Sequence, residues 1–75
     1  MDAPIPIEVD LKRDLRLDAF LKICGVAPTG GIAKLMIQDG AIEVNGVLEL
    51  RRGRRLQAGD EVTVEGADRF TVVAQ

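Results

Sequence analysis

The chain has 75 residues, a formal net charge of −2, 47% hydrophobic residues, one cysteine and no histidine. That length allows one domain, and the hydrophobic fraction lies above the disordered range, with a core left to Ile, Leu, Val, Ala and Met because Phe20 and Phe70 are the sole aromatics. Lone Cys24 excludes an intrachain disulfide, no apolar run approaches the roughly 18 residues of a membrane span, and no basic start leads into an apolar stretch, so a cytoplasmic protein is expected.

"IPIEV" alternates Ile5, Ile7 and Val9 with Pro6 and Glu8, the pattern of a half-buried strand, and Pro6 assigns it to a sheet edge. "DLKRD" reads as a polar connection. In "LDAFLKIC", Leu17, Phe20, Leu21 and Cys24 fall at i, i+3, i+4 and i+7, one apolar stripe of a helix. Asp18 suits the helix start, Lys22 pairs with it one turn on, and Gly25 stops the helix. "PTGGIAKLMIQDG" predicts a second helix with Thr29 as N-cap, a stripe of Ile32, Ala33, Met36 and Ile37, and Gly40 as a left-handed C-cap. The short link "GVAP" packs the two helices together.

"AIEVNGVLEL" carries the Asn45-Gly46 hairpin signal, "QAGD" and "GAD" mark two further turns, and "EVTVE" and "RFTVV" read as strands with Val62 and Val64 inward. An edge strand, two helices and then several antiparallel strands make an α+β domain rather than an alternating parallel sheet.

Catalytic chemistry finds little support. A neutral-pH general base of the usual kind is missing without histidine, and one cysteine cannot assemble a zinc site. Cys24 lies on an apolar helix face, where a small buried residue is expected rather than a nucleophile. Asp60 and Glu61 are adjacent and point to opposite faces of a strand. "TGG" lacks the spacing and the Lys-Ser pair of a nucleotide loop. No enzyme, cofactor, metal or small-molecule substrate is expected.

The charge distribution is more telling than the total. Residues 2–18 hold five acids against three bases, whereas "RRGRR" at 51–55 carries four arginines and no acid. Guanidinium groups contact phosphate oxygens in pairs, and Gly53 lets the segment turn so that its neighbours fan toward one surface. The competing readings are a solvated loop, arginines paired with Glu43, Glu49 and Glu61 across the sheet, or a module that docks an acidic protein partner, for example a ribosome-associated one. A cationic surface requires that the arginines neither splay apart nor are each neutralised by a carboxylate.

"RLDAFLKICGVAPTGGIAKLMIQDGAIEVNG", followed by "RRGRRLQAGDEV", resembles the RNA-binding domain named after small-subunit ribosomal protein four, the alpha-L motif, and within it the stand-alone small bacterial proteins. Leu17 and Asp18, Thr29, Ala33, Gly40, Val44-Asn45-Gly46 and Gly59-Asp60 carry the likeness, with the motif core at about 15–65 of a single 1–75 domain. The resemblance implies two packed helices against a small, mostly antiparallel curved sheet. It implies binding of structured RNA, ribosomal or transfer RNA, through Arg51, Arg52, Arg54, Arg55 and Lys34. Thr29, Gly30 and Gly31 at the second helix start are candidate phosphate contacts. Many members carry arginine at the position of Gly30 and a second base at that of Leu35, so two contacts of the pattern are missing. With few aromatics there is no base-stacking platform, and a monomer is expected.

Overall fold

The computed structural model describes residues 3–75; Asp2, one of the N-terminal acids, lies outside them. Nine elements follow in order: β1 (Ile5–Val9), β2 (Leu15–Arg16), α1 (Leu17–Ile23), α2 (Gly30–Gln38), β3 (Ile42–Val44), β4 (Val47–Leu48), β5 (Arg55–Leu56), β6 (Glu61–Val64) and β7 (Arg69–Ala74). A five-stranded sheet runs β1-β7-β6-β3-β4, and β2 and β5 form a separate two-stranded ribbon. All pairings are antiparallel except β1 with β7, which are parallel with Ile5 opposite Phe70 and Val9 opposite Ala74. The α+β class and the mostly antiparallel sheet agree with the sequence reading. The parallel pair was not foreseen, because it joins the two ends of the chain and leaves no local signal.

The core lies between the helix pair and one face of the sheet. Leu17, Phe20 and Leu21 from α1, Ala33 and Ile37 from α2, and Ile42 and Val62 from the sheet are fully buried. Val44, Val64, Phe70 and Val72 extend this face, so the period-2 alternation of β3, β6 and β7 directs one side of each strand inward. Alternation in β1 is graded: Val9 is buried, Ile7 half-buried and Ile5 exposed, as the strand runs out along the edge with Pro6 on it.

Helix α2 has the caps that its sequence specifies. Thr29 Oγ1 accepts from the Ile32 amide at 3.1 Å. Gly40, at φ +84°, ends the helix as its amide donates to Ile37 O while the Ala41 amide donates to Met36 O. Asn45 and Gly46 take φ of 53° and 81°, the mirror-image turn that joins β3 to β4 with the right twist. Asn45 also bridges to the second turn, donating to Asp60 Oδ1 at 3.0 Å and accepting from the Glu61 amide at 2.9 Å.

Two expectations about the helices fail. Ile32, assigned to the buried stripe of α2, is 41% exposed, because the helix rests on the core mainly through Ala33 and Ile37. Asp18 does not pair with Lys22; it is buried and turned toward the arginine segment. The stripe error has a measurable consequence. Ile37→Ala is expected to cost about 2–5 kcal/mol, enough to unfold much of a domain this small. Ile32→Ala is expected to stay within about 0.5–1 kcal/mol. Urea denaturation of the two variants checks the contrast.

Candidate nucleic-acid interface

The arginine segment is fixed first by its backbone. Helix α1 starts at Leu17 with Arg16 as N-cap, and Arg16 offers no side-chain cap. The free amides of the first turn are instead taken by the arginine segment: Leu17 N–H donates to Arg54 O at 2.8 Å and Asp18 N–H to Arg52 O at 3.1 Å. The Ala19 amide donates to Asp18 Oδ1 at 2.8 Å. The Arg54 amide closes a turn onto Arg51 O, and β5 pairs with β2 so that Arg55 stands opposite Arg16. Residues 51–56 are therefore tied to the start of α1 along their length.

Two carboxylates then organise the side chains. Glu49, 6% exposed, accepts from Arg51 Nε at 3.0 Å and Nη2 at 3.2 Å as a two-pronged fork, from the Arg51 amide at 3.1 Å, and from Arg54 Nη1 at 2.8 Å. Asp18, 7% exposed, accepts from Arg52 Nε at 2.9 Å and lies 3.6 Å from Arg16 Nη2. Arg55 makes a looser pair with Asp14, 3.4 Å apart with both side chains largely exposed. Among the described residues, no buried side-chain polar atom lacks a partner.

The competing reading of a freely solvated loop does not hold, and the competing reading of carboxylate pairing holds in part: each of Arg51, Arg52, Arg54 and Arg55 meets a carboxylate. The pairing does not neutralise the group. Asp18 and Glu49 are each shared by two guanidiniums, so one negative charge faces two positive ones at both anchor points. Arg51 keeps 77% of its side-chain surface exposed while bonded through one edge. Of the three expected acidic partners, Glu49 serves the segment, whereas Glu61 pairs with Arg69.

The segment also meets the start of α2. The Arg52 Nη2 atom lies 3.5 Å from the point where a side chain on Gly30 would begin, so its guanidinium covers the first residue of that helix. Arg16 lies along Gly53, with Nη2 3.4 Å from the corresponding point there. Lys34 is exposed one turn beyond Gly30 on the same side of α2, and Gly31 follows Gly30 beside the Thr29 cap. Arg51 and Arg54 share one anchor, Arg16 and Arg52 the other, and Arg52 joins the segment to the helix start. Leu35, where a base was missing from the pattern, is an exposed apolar residue.

Reading the sequence missed two members of this arrangement, Arg16 and Asp18 as an anchor rather than a dipole partner, and had Glu49 only as one of three candidate partners. The available signal was an acid two positions before the arginine run and another two positions after Arg16. Elsewhere, burial pushes the Cys24 thiol up to about 12, which disfavours a thiolate near neutral pH. The surface has more exposed apolar residues than expected, including Leu35, Val47, Leu48 and Leu50; Leu48 reaches to the Gly40 end of α2.

These features define a small two-helix α+β module with a carboxylate-braced arginine cluster. Residues 10–73 match the S4 domain, and the chain belongs to that family. It is 40% identical over 68 residues to a protein of Bacillus subtilis (strain 168) described as a probable ribosome maturation protein RlbA, covering 91% of this chain and 94% of that one. Its fold is similar to that of Heat Shock Protein 15 of Vibrio cholerae, solved as a trimer, with a TM-score of 0.66 and 24% identity. That match covers 76% of this chain and 58% of the Vibrio chain. Membership of the S4 family supports RNA binding in general terms.

The bracing of Glu49 gives a pH signature. Hydrogen bonds from Arg51 and then Arg54 hold its carboxyl at about 2, against an ordinary 4.5. A carboxyl lowered by folding contributes stability that is complete above its unfolded value and is lost as pH falls toward the folded one. Glu49→Gln is expected to lower stability by roughly 1–3 kcal/mol at about pH 7. The gap to the unaltered protein should narrow as pH falls from about 4.5 toward about 2. Urea midpoints through that window check the sign.

Proposed function

We propose that the protein binds structured RNA, ribosomal or transfer-RNA-like, without catalytic activity of its own, through Arg51, Arg52, Arg54 and Arg55 together with Arg16, Lys34 and the Thr29-Gly30-Gly31 start of α2. One observation carries the reading: four guanidiniums braced by two buried carboxylates, with Arg52 lying over the first residue of α2. A phosphate there would meet fixed guanidinium edges and the amide end of a helix together. The absence of tryptophan and tyrosine from the sequence favours backbone and shape recognition over base stacking. The similarity to a ribosome maturation protein favours ribosomal RNA, and with it a cytoplasmic, ribosome-associated setting. No helix among the described residues is long and apolar enough to cross a membrane.

Binding that rests on phosphates is sensitive to salt and tolerant of sequence. The variant with Arg54→Ala and Arg55→Ala is expected to bind labelled RNA stem-loops of unrelated sequence about equally less well. Its log–log salt slope should be shallower by about 0.7–0.9 per lost phosphate contact. Fluorescence anisotropy across a salt series measures both. Unchanged affinity and slope would favour docking of an acidic protein surface instead.

A further inference from the structure

Asp18 and Glu49 are an apparent contradiction in a site that attracts phosphate. Each brings a full negative charge to within 4 Å of the guanidiniums meant to hold an anion. Counted as charge alone they weaken the site, and removing either would raise the net charge by one and tighten binding. The geometry points the other way. We propose that Asp18 and Glu49 are positioning residues of the RNA site, and that a neutral residue in place of either weakens RNA binding although it makes the protein more positive.

The argument is one of order against charge. A free arginine side chain loses substantial rotamer freedom when a ligand immobilises it. Here that freedom is already spent in the fold. Asp18 holds Arg52 through Nε, at 2.9 Å, and leaves Nη2 directed over Gly30. The same carboxylate draws Arg16, which is laid along Gly53. Glu49 takes the Nε–Nη2 edge of Arg51 and a single Nη1 of Arg54, so both guanidiniums retain unbonded N–H groups for a second oxygen ligand. Lysine could not be used in this way, because it has no second edge. Both carboxylates are buried, so they brace the arginines from beneath and do not themselves face the approaching phosphate.

The expected size follows from the ordering cost. Each arginine released from its brace costs binding about twofold to tenfold. Asp18→Asn is nearly isosteric and keeps an oxygen for the Ala19 amide, and it is expected to weaken stem-loop binding by that factor for each of Arg16 and Arg52 that it releases. The salt slope should fall as well, since fewer guanidiniums are held at phosphates. In a background of Arg16→Ala and Arg52→Ala, Asp18→Asn should have no further effect, because Asp18 acts through those two side chains. Glu49→Gln in a background of Arg51→Ala and Arg54→Ala is the parallel experiment, and it carries the test if Asp18→Asn proves poorly folded by circular dichroism.

The proposal rests on the RNA reading, but the two fail differently. If the arginine double variants bind as well as the unaltered protein, the RNA site is wrong and the proposal falls with it. If they bind less well while Asp18→Asn and Glu49→Gln bind equally or more tightly, the proposal alone is overturned and the acids merely reduce charge. An equal loss in the presence and absence of the arginines also overturns it, since the acids would then act on the fold rather than through the guanidiniums.

Discussion

Helix α1 has no cap of its own. Arg16 precedes it in extended conformation without a side-chain bond to the first turn, and Leu17, the first helical residue, is completely buried. An unmet amide there would cost on the order of 1–3 kcal/mol, a large share of the stability of so small a domain. The carbonyls of Arg52 and Arg54 meet that need from the far end of the sequence. The arginine segment is therefore part of the folding of α1 and not an appendage to it. Its path is dictated by where the helix needs acceptors, and its side chains take their directions from that path.

The same join explains why acids are buried among bases. With its backbone bound to the start of α1, the segment brings Arg52 down beside Asp18, while Glu49 enters the interior two positions before Arg51. A carboxylate buried alone would be costly, and one held by two guanidiniums with several hydrogen bonds is not. Arginine suits both parties. One edge of its planar group satisfies the carboxylate while the opposite edge remains in water, as the largely exposed Arg51 illustrates. Structural bracing and an anion-seeking surface thus use the same side chains without competing for the same atoms.

Much of this was legible in the sequence, and the limit is physical. The Thr29 and Gly40 caps, the Asn45-Gly46 turn and the alternation of β6 and β7 depend on a few neighbouring residues, and they stand where local pattern puts them. The β2–β5 ribbon and the parallel β1–β7 pair depend on partners far apart in sequence, and local pattern is blind to them. The arginine run was visible as a charge block, and Glu49 as one of three candidate partners, but Asp18 was not. Asp18 looked like a helix-surface residue because Lys22 stands at the favourable i+4 spacing, yet the tertiary pairing with Arg52 spans 34 positions and prevails. Ile32 fits the apolar period of α2 by spacing alone, but the core takes Ala33 and Ile37 fully and Met36 in part, and leaves Ile32 outside.

A net charge of −2 is ill suited to a polyanion as a total, but the total is not what a bound phosphate experiences. At physiological ionic strength the screening length is about 8 Å. Exposed acids farther away than that add little to the field at a bound phosphate. Five arginines gather on one join, two of their bracing acids are buried, and positive charge is concentrated there. A protein with the same cluster on a uniformly basic body would bind RNA from any side. In the proposed RNA complex an acidic remainder would favour one orientation of the contact, and a surface that reads a backbone without stacking aromatics must obtain its orientation from its charges.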